Sequence, residues 1–197
     1  MEYELDPLII DCYEGTTCLV NKLNIRDEKK LEVMEAIISA AKYGTLETNP
    51  IPGEFDFSHY KNVHRYIFED LYEWAGEIRT VAISKKGTHF VAPDQIEMVA
   101  GSIFGALKER DYFRQNTFEE FVDNIVDFYV QTNMLHPFRE ENGRAQRAFI
   151  TQLIRFCGYD IQFSKTDMDE LMIATVFSAQ GVNDHLKRFF RANIIKV

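Results

Sequence analysis

The apolar positions of this chain recur mostly at helical spacing, and polar caps and glycines divide them into segments. Leu31, Met34, Ile38 and Ala41 mark one face of a helix that Asp27 is placed to cap and Gly44 to stop. Residues 45–57, with Pro50, Pro52 and Gly53, read as a loop. Ser58 is placed to open a second helix, with Val63, Ile67, Leu71 and Trp74 on one face and Gly76 just past its end. The period then changes. Residues 78–83 are rich in β-branched side chains, Lys85-Lys86-Gly87 makes a turn, and residues 88–92 return as a second short strand before Pro93. Helical spacing resumes from Asp94 to about Arg110. It continues from Thr117, which forms a capping box with Glu120, to about Leu135. Three further helices are expected at about 143–156, 167–179 and 182–194, with Phe121, Phe128, Phe149 and Phe156 on core faces. The expectation is an all-α bundle carrying one lone β-hairpin, and such a hairpin is marginal unless it packs on something.

Composition narrows the partners. The 197 residues fit one ordinary domain, without an internal repeat, a low-complexity segment or a linker. A net charge of −9, from 22 basic against 31 acidic side chains, argues against direct nucleic-acid or anionic-membrane binding, since both need a cationic footprint. No apolar run approaches the roughly 18–20 residues of a membrane span. The N-terminus has two acids before its short apolar stretch, the reverse of a secretory signal. Cys12, Cys18 and Cys157 are an odd number without metal-ligand spacing, which fits a reduced, cytoplasmic setting. Against this acidity, any cluster of cations stands out.

One such cluster lies between the fourth and fifth expected helices, in the run His136-Pro137-Phe138-Arg139-Glu140-Glu141-Asn142-Gly143-Arg144-Ala145-Gln146-Arg147. Pro137 cannot continue the preceding helix, and Asn142-Gly143 suits tight backbone geometry. A new helix then starts, and its unpaired N–H groups and dipole favour an anion. Arg144 and Arg147 share one face of its first turn, where arginines oppose the dipole unless a polyphosphate reverses the sign. Guanidinium groups match phosphate oxygens in bidentate geometry. Glu140 offers a hard oxygen to Mg²⁺, which commonly takes one or two carboxylates plus substrate phosphates. His136, neutral near pH 7, is a candidate proton acceptor for an attacking hydroxyl. Phe138 is placed to pin the loop to the core.

Taken singly, each part has a bland reading. A lone histidine is usually structural, an Asn-Gly pair is usually a turn, and an Arg pair among acids is usually a solvated ion-pair network. His59 and His64 lack a third ligand and read as packing rather than metal binding; His89 falls in the hairpin. Within twelve residues, however, a base, a metal carboxylate, an anion nest and two arginines make a nucleotide-handling constellation.

These residues resemble the Fic family (the Fic/Doc fold), whose signature runs His-x-Phe-x-Asp/Glu-Gly/Ala-Asn-Gly/Lys-Arg-x-x-Arg. His136, Phe138, Glu140, Asn142, Gly143, Arg144 and Arg147 match it. Leu71-Tyr72-Glu73-Trp74-Ala75-Gly76-Glu77-Ile78-Arg79 and the hairpin after it resemble the family's helix and flap. Asn21-Lys22-Leu23-Asn24-Ile25 is similar as well. The resemblance implies one Fic domain over 1–197, with a core at about 55–190 and an N-terminal helical extension at about 1–45. It also implies transfer of AMP from ATP to a protein hydroxyl. By the same carry-over, His136 is the base and Glu140 holds Mg²⁺. Asn142 and the Gly143 backbone cradle phosphate, and Arg144 and Arg147 bind the departing pyrophosphate. Thr80, Val81, Ala82 and Ile83 hold the target segment as an added strand.

Two departures stand out. Glu141 occupies a position where the family has Gly or Ala, adding bulk and negative charge beside the phosphates. It points to solvent, or acts as a built-in brake by pairing with an arginine, or marks a chain that no longer transfers AMP. The family's inhibitory motif, Ser/Thr-x-x-x-Glu-Gly/Asn, has no complete copy: Thr166 and Glu170 are followed by Leu171, and Glu35 is preceded by Leu31. Both acids read as helix-surface residues. The absence suggests inhibition in trans by a small antitoxin-like partner, docking on exposed apolar residues near the N-terminal helix. The competing readings are transfer of another phosphate-containing group and an inert peptide-binding module.

Overall fold

The computed structural model describes residues 4–5, 11–85 and 87–197; Lys86 of the expected turn, and the N-terminal stretches 1–3 and 6–10, lie outside them. Helix α1 (Glu28–Thr48) starts at Asp27, whose carboxylate accepts the Lys30 N–H at 3.1 Å. It runs through Gly44 instead of stopping there. An internal glycine costs a helix only about 1 kcal/mol relative to alanine, and the turn beyond it brings Leu46 into the core. Helix α2 (Phe57–Phe68) is capped by Asp56, two residues before the expected Ser58, through a 2.7 Å bond from the His59 N–H. It also ends earlier than its apolar spacing suggests. Leu71, Tyr72 and Ala75 are buried from turns, not from a helical face. Gly76 closes this stretch at φ +81, and a Cβ there would meet the Arg65 Cβ at 2.7 Å and the Lys61 carbonyl oxygen at 2.9 Å. Only glycine satisfies both demands.

The hairpin is shorter than expected and is not alone. Strands β2 (Ile83–Lys85) and β3 (Thr88–His89) pair antiparallel, with Ser84 opposite His89. On the other side of β2 lies β1 (Glu4–Leu5), with Glu4 opposite Ser84 and Leu5 opposite Ile83, giving the order β1-β2-β3. The β-branched run at 78–82 stays outside the ladder.

Helix α3 (Ile96–Glu109) follows a 3₁₀ turn at Pro93–Gln95, so Asp94 lies before the helix and does not cap it. Helix α4 (Phe118–Leu135) has the complete Thr117–Glu120 capping box. Helix α5 (Asn142–Phe156) is the central rod, with Ala145, Ala148, Phe149, Ile150, Leu153 and Ile154 all buried. Phe149 meets Tyr60 of α2 and Phe104 of α3 at ring-centroid distances of 5.2 and 5.7 Å. Phe121 and Phe128 are buried with it, but Phe156 at the end of α5 is half exposed. Strand β4 (Tyr159–Asp160), helices α6 (Met168–Ser178) and α7 (Asp184–Asn193) and strand β5 (Ile195–Lys196) complete the bundle. β4 and β5 form an antiparallel pair too short to leave a period in the sequence. The architecture is thus mostly helical, with seven α-helices and two small antiparallel sheets among the described residues.

Candidate active site

The loop between α4 and α5 is locked by one side chain. Asn142 is buried, accepts the Phe138 N–H on Oδ1 and donates through Nδ2 to the Phe138 carbonyl, each at 2.8 Å. The amide of Asn142 is therefore engaged inside the loop, and what the residue can offer a phosphate is its backbone N–H at the helix start. Phe138 is buried below, its ring stacked on His64 at 3.9 Å between centroids. Arg139, between the signature positions, is buried and pairs through Nε with Asp11 at 3.1 Å.

His136 ends α4 in the left-handed region, at φ 42 and ψ 58. This conformation turns its side chain out of the helical path. Nδ1 lies 3.1 Å from the Asn133 carbonyl oxygen. A carbonyl oxygen only accepts, so Nδ1 carries the proton and Nε2 the lone pair. The ring stacks on Phe90, just past β3, at 3.8 Å and 12°. Burial is the main reason its pKa falls to about 3, helped by the nearby charges of Lys85 and Arg79. The imidazole is neutral through the physiological range.

His64 supports the loop in a way that spacing along the chain does not reveal. Its Nδ1 accepts the Gly76 N–H at 2.9 Å, which puts the ring proton on Nε2. Nε2 then donates to the Glu140 carbonyl at 3.1 Å. A buried, neutral histidine thus fixes the backbone of the candidate metal residue; burial lowers its pKa to about 3. Its partners lie far away in sequence, so no local signal marks it.

Glu141 takes φ 63, again the left-handed region, and its Oε2 stands 2.9 Å from Arg144 Nη1. The guanidinium nitrogen is buried without an aligned hydrogen bond, so the pair is close but poorly oriented. Burial pushes the Glu141 pKa up to about 7, against the pull of Arg144 and with the help of Glu35 and Glu140. Of the open alternatives, the solvent-facing one is excluded by this geometry. Glu35 is not a surface acid either: the Tyr72 hydroxyl donates to it, and burial raises its pKa. Glu170, in contrast, is exposed on α6. The Tyr43 hydroxyl, from α1, donates to the Arg144 carbonyl. Arg147 forms no ion pair among the described residues, and its Nη1 lies 3.3 Å from where a Cβ of Gly143 would be.

Of the flap residues, Thr80 and Ala82 are exposed and Val81 is half-buried, all three outside the ladder. Ile83 is buried and already paired in the ladder, in register with Leu5. His59 is buried too, and His89 is exposed on the flap.

A helical bundle that brings an imidazole, a carboxylate and two guanidinium groups to one helix entrance beneath a short flap is the architecture of a Fic domain. Residues 54–154 match the Fic/DOC family, and the chain belongs to that family. It is 36% identical over 178 residues to probable protein adenylyltransferase y4lH of Sinorhizobium fredii, covering 89% of each chain. It is 35% identical over 179 residues to protein adenylyltransferase VbhT of Bartonella schoenbuchensis, spanning 91% of this chain but 37% of that one. Among solved structures, BepC of Bartonella tribocorum with bound AMPPNP superposes with a TM-score of 0.91 at 25% identity, over 96% of this chain and 98% of that one. A Bep effector Fic domain of Bartonella quintana with bound ADP gives a TM-score of 0.90, also at 25% identity, over 95% of each chain. No helix among the described residues is long and apolar enough to cross a membrane.

Proposed function

We infer that this protein transfers AMP from ATP to a hydroxyl side chain of a target protein. The observation that carries the reading is the His136 tautomer: proton on Nδ1, facing Asn133, and lone pair on Nε2. In the step proposed, the hydroxyl oxygen attacks the α-phosphorus and its proton passes to Nε2. The bond to the β-phosphate oxygen breaks, and pyrophosphate leaves. The N–H groups at the start of α5, with Arg144 and Arg147, balance the developing negative charge. The relatives named adenylyltransferases and the neighbours holding AMPPNP and ADP support ATP as the donor.

The residues fit a magnesium ion that arrives with the nucleotide. Glu140 supplies a hard oxygen beside the phosphate site, and no cluster of three or more His, Cys, Asp or Glu among the described residues forms a separate cage. Bound there, the ion supplies charge neutralisation on the phosphates. The target segment lies along the flap at Thr80–Ile83, bonding by main chain, and it competes with Glu4–Leu5 at Ile83. Glu141 attenuates the reaction by holding Arg144 in place of a phosphate oxygen. A small inhibitory partner docks on α1, where Val33 and Ile37, one turn apart, are each 57% exposed.

The test is labelling with α-³²P-ATP against γ-³²P-ATP, followed by intact mass. Label from the α position only, with a gain of about 329 Da on the acceptor, fits AMP. A gain of about 80 Da points to phosphate transfer. Label that survives His136→Ala rejects the proposed base.

A further inference from the structure

Arg79 is buried, yet no carboxylate pairs with it among the described residues. Its guanidinium is met by carbonyl oxygens. Nε donates to the His136 carbonyl at 2.8 Å, Nη1 to Val81 at 2.7 Å and Nη2 to Val91. Its own backbone N–H donates to the Pro137 carbonyl at 2.9 Å. The acceptors come from three segments. Val81 leads into β2, Val91 leaves β3, and His136 and Pro137 begin the loop before α5. The planar fork of one guanidinium thus spans both roots of the flap and the residue placed to take the proton.

Two further contacts run the same way. The Val91 N–H donates to the Met134 carbonyl at 3.1 Å, and the neighbouring Phe90 ring stacks on the His136 imidazole. The flap therefore holds His136 at its backbone through Arg79 and at its ring through Phe90. Burying a cation against neutral acceptors is costly, and burial lowers the Arg79 pKa to about 10. Simple packing would be met by an apolar side chain. A need to fix three carbonyl groups in one plane is not.

We propose that Arg79 is a positioning residue that keeps the flap and His136 in register, so that a target strand lying on the flap presents its hydroxyl to Nε2. The proposal rests on the adenylyl-transfer reading above. In these terms the flap is more than a docking rail. Its placement and the aim of the base are set by the same side chain.

The experiment compares the full chain with Arg79→Met and Arg79→Lys. Three readouts are used: the initial rate of α-³²P-ATP labelling in a host lysate, the calorimetric affinity for Mg-AMPPNP, and the ¹⁵N shifts of the histidine rings. Arg79→Met should slow labelling on the order of 10–100-fold, as expected for a displaced reacting group, while nucleotide affinity changes by less than about twofold. The His136 nitrogens should lose the pattern of a single neutral tautomer. Arg79→Lys, which keeps the charge but not the fork, should recover only part of the rate.

Full labelling by Arg79→Met overturns the proposal, as does a loss matched by an equal loss of nucleotide affinity. If Arg79→Met does not fold, Arg79→Lys decides: a rate equal to that of the unmodified protein overturns the proposal. A silent unmodified protein sinks the adenylyl-transfer reading instead. The ring shifts then still report whether Arg79 orders His136, and unchanged shifts count against it.

Discussion

Glu141 and Arg144 stand one helical turn apart at the entrance of α5, Oε2 of the first 2.9 Å from Nη1 of the second. The carboxylate lies against the guanidinium proposed to meet a phosphate, at a backbone φ of 63 that suits glycine. Both effects oppose the residue. The left-handed conformation costs a side chain roughly 1–2 kcal/mol, and burial disfavours the charge.

Replacing Glu141 should therefore separate strain from charge. Glu141→Gly relieves both, and Mg-ATP affinity and labelling rate should rise about 5–30-fold, the equivalent of 1–2 kcal/mol. Glu141→Ala should share the gain in affinity but remain less stable than Glu141→Gly by about 1 kcal/mol, because it keeps the strained φ. Calorimetric titration and denaturant unfolding read the two effects. Unchanged affinity in both variants would remove Glu141 from regulation.

His136→Ala should reduce labelling roughly 10²–10⁴-fold, the usual range for a general base. The pH profile is the sharper measurement. With its pKa lowered to about 3, His136 is neutral throughout the working range, so kcat/KM should show no acid limb near pH 6.5. An ordinary exposed histidine would give one.

Stability should respond to acid through the same groups. His64 and His136 both have folded pKa values lowered to about 3 from 6.5. The unfolded chain thus binds more protons between these values, and stability falls as pH drops from 6.5 toward 3. Glu141 acts with the opposite sign. Its pKa, raised to about 7 from 4.5, makes the folded state the better proton binder, so its contribution falls as pH rises through that window. Thermal melts across pH should show a steeper acid decline in Glu141→Gln than in the unmodified protein. His64→Gln, whose amide can accept from Gly76 and donate to Glu140, should flatten that decline.

Asn142→Ala tests the loop lock. It leaves the Phe138 N–H and carbonyl without their buried partner, at on the order of 1–3 kcal/mol for each group. Denaturant unfolding should report a loss of that size, and Mg-ATP binding should weaken because the helix entrance is no longer held.

The helices and the signature-bearing loop are legible because both depend on local signals. Thr117 and Glu120 cap α4 within one turn, and the signature from His136 to Arg147 lies in one loop and one helix. The errors lie where tertiary burial overrides local rules: Leu46 draws α1 past Gly44, and the turns at 71–75 bury residues whose spacing suggests a helix. The supporting shell was illegible for a related reason. Arg79 finds His136 57 positions away, and His64 finds Glu140 76 positions away. Each uses main-chain carbonyls, which leave no trace in residue type. Asn142 lies in the loop that its Asn-Gly pair marks, but its side chain serves Phe138.

The pairing of Glu4–Leu5 with Ile83–Ser84 has a kinetic meaning. A tethered strand on a sheet edge behaves as a competitor whose local concentration does not fall on dilution, and for short tethers it is on the order of millimolar. If the target docks as proposed, a strand reaching Ile83 would have to outbid it. Weak, generic strands would be filtered out, and only segments with added side-chain contacts would gain the edge. Replacing Glu4 and Leu5 together by proline, which cannot donate to the ladder, should lower the apparent KM for acceptors and broaden the set that is labelled. On the proposed reading, Glu4 and Leu5 would set a threshold for acceptor strands from outside the helix entrance.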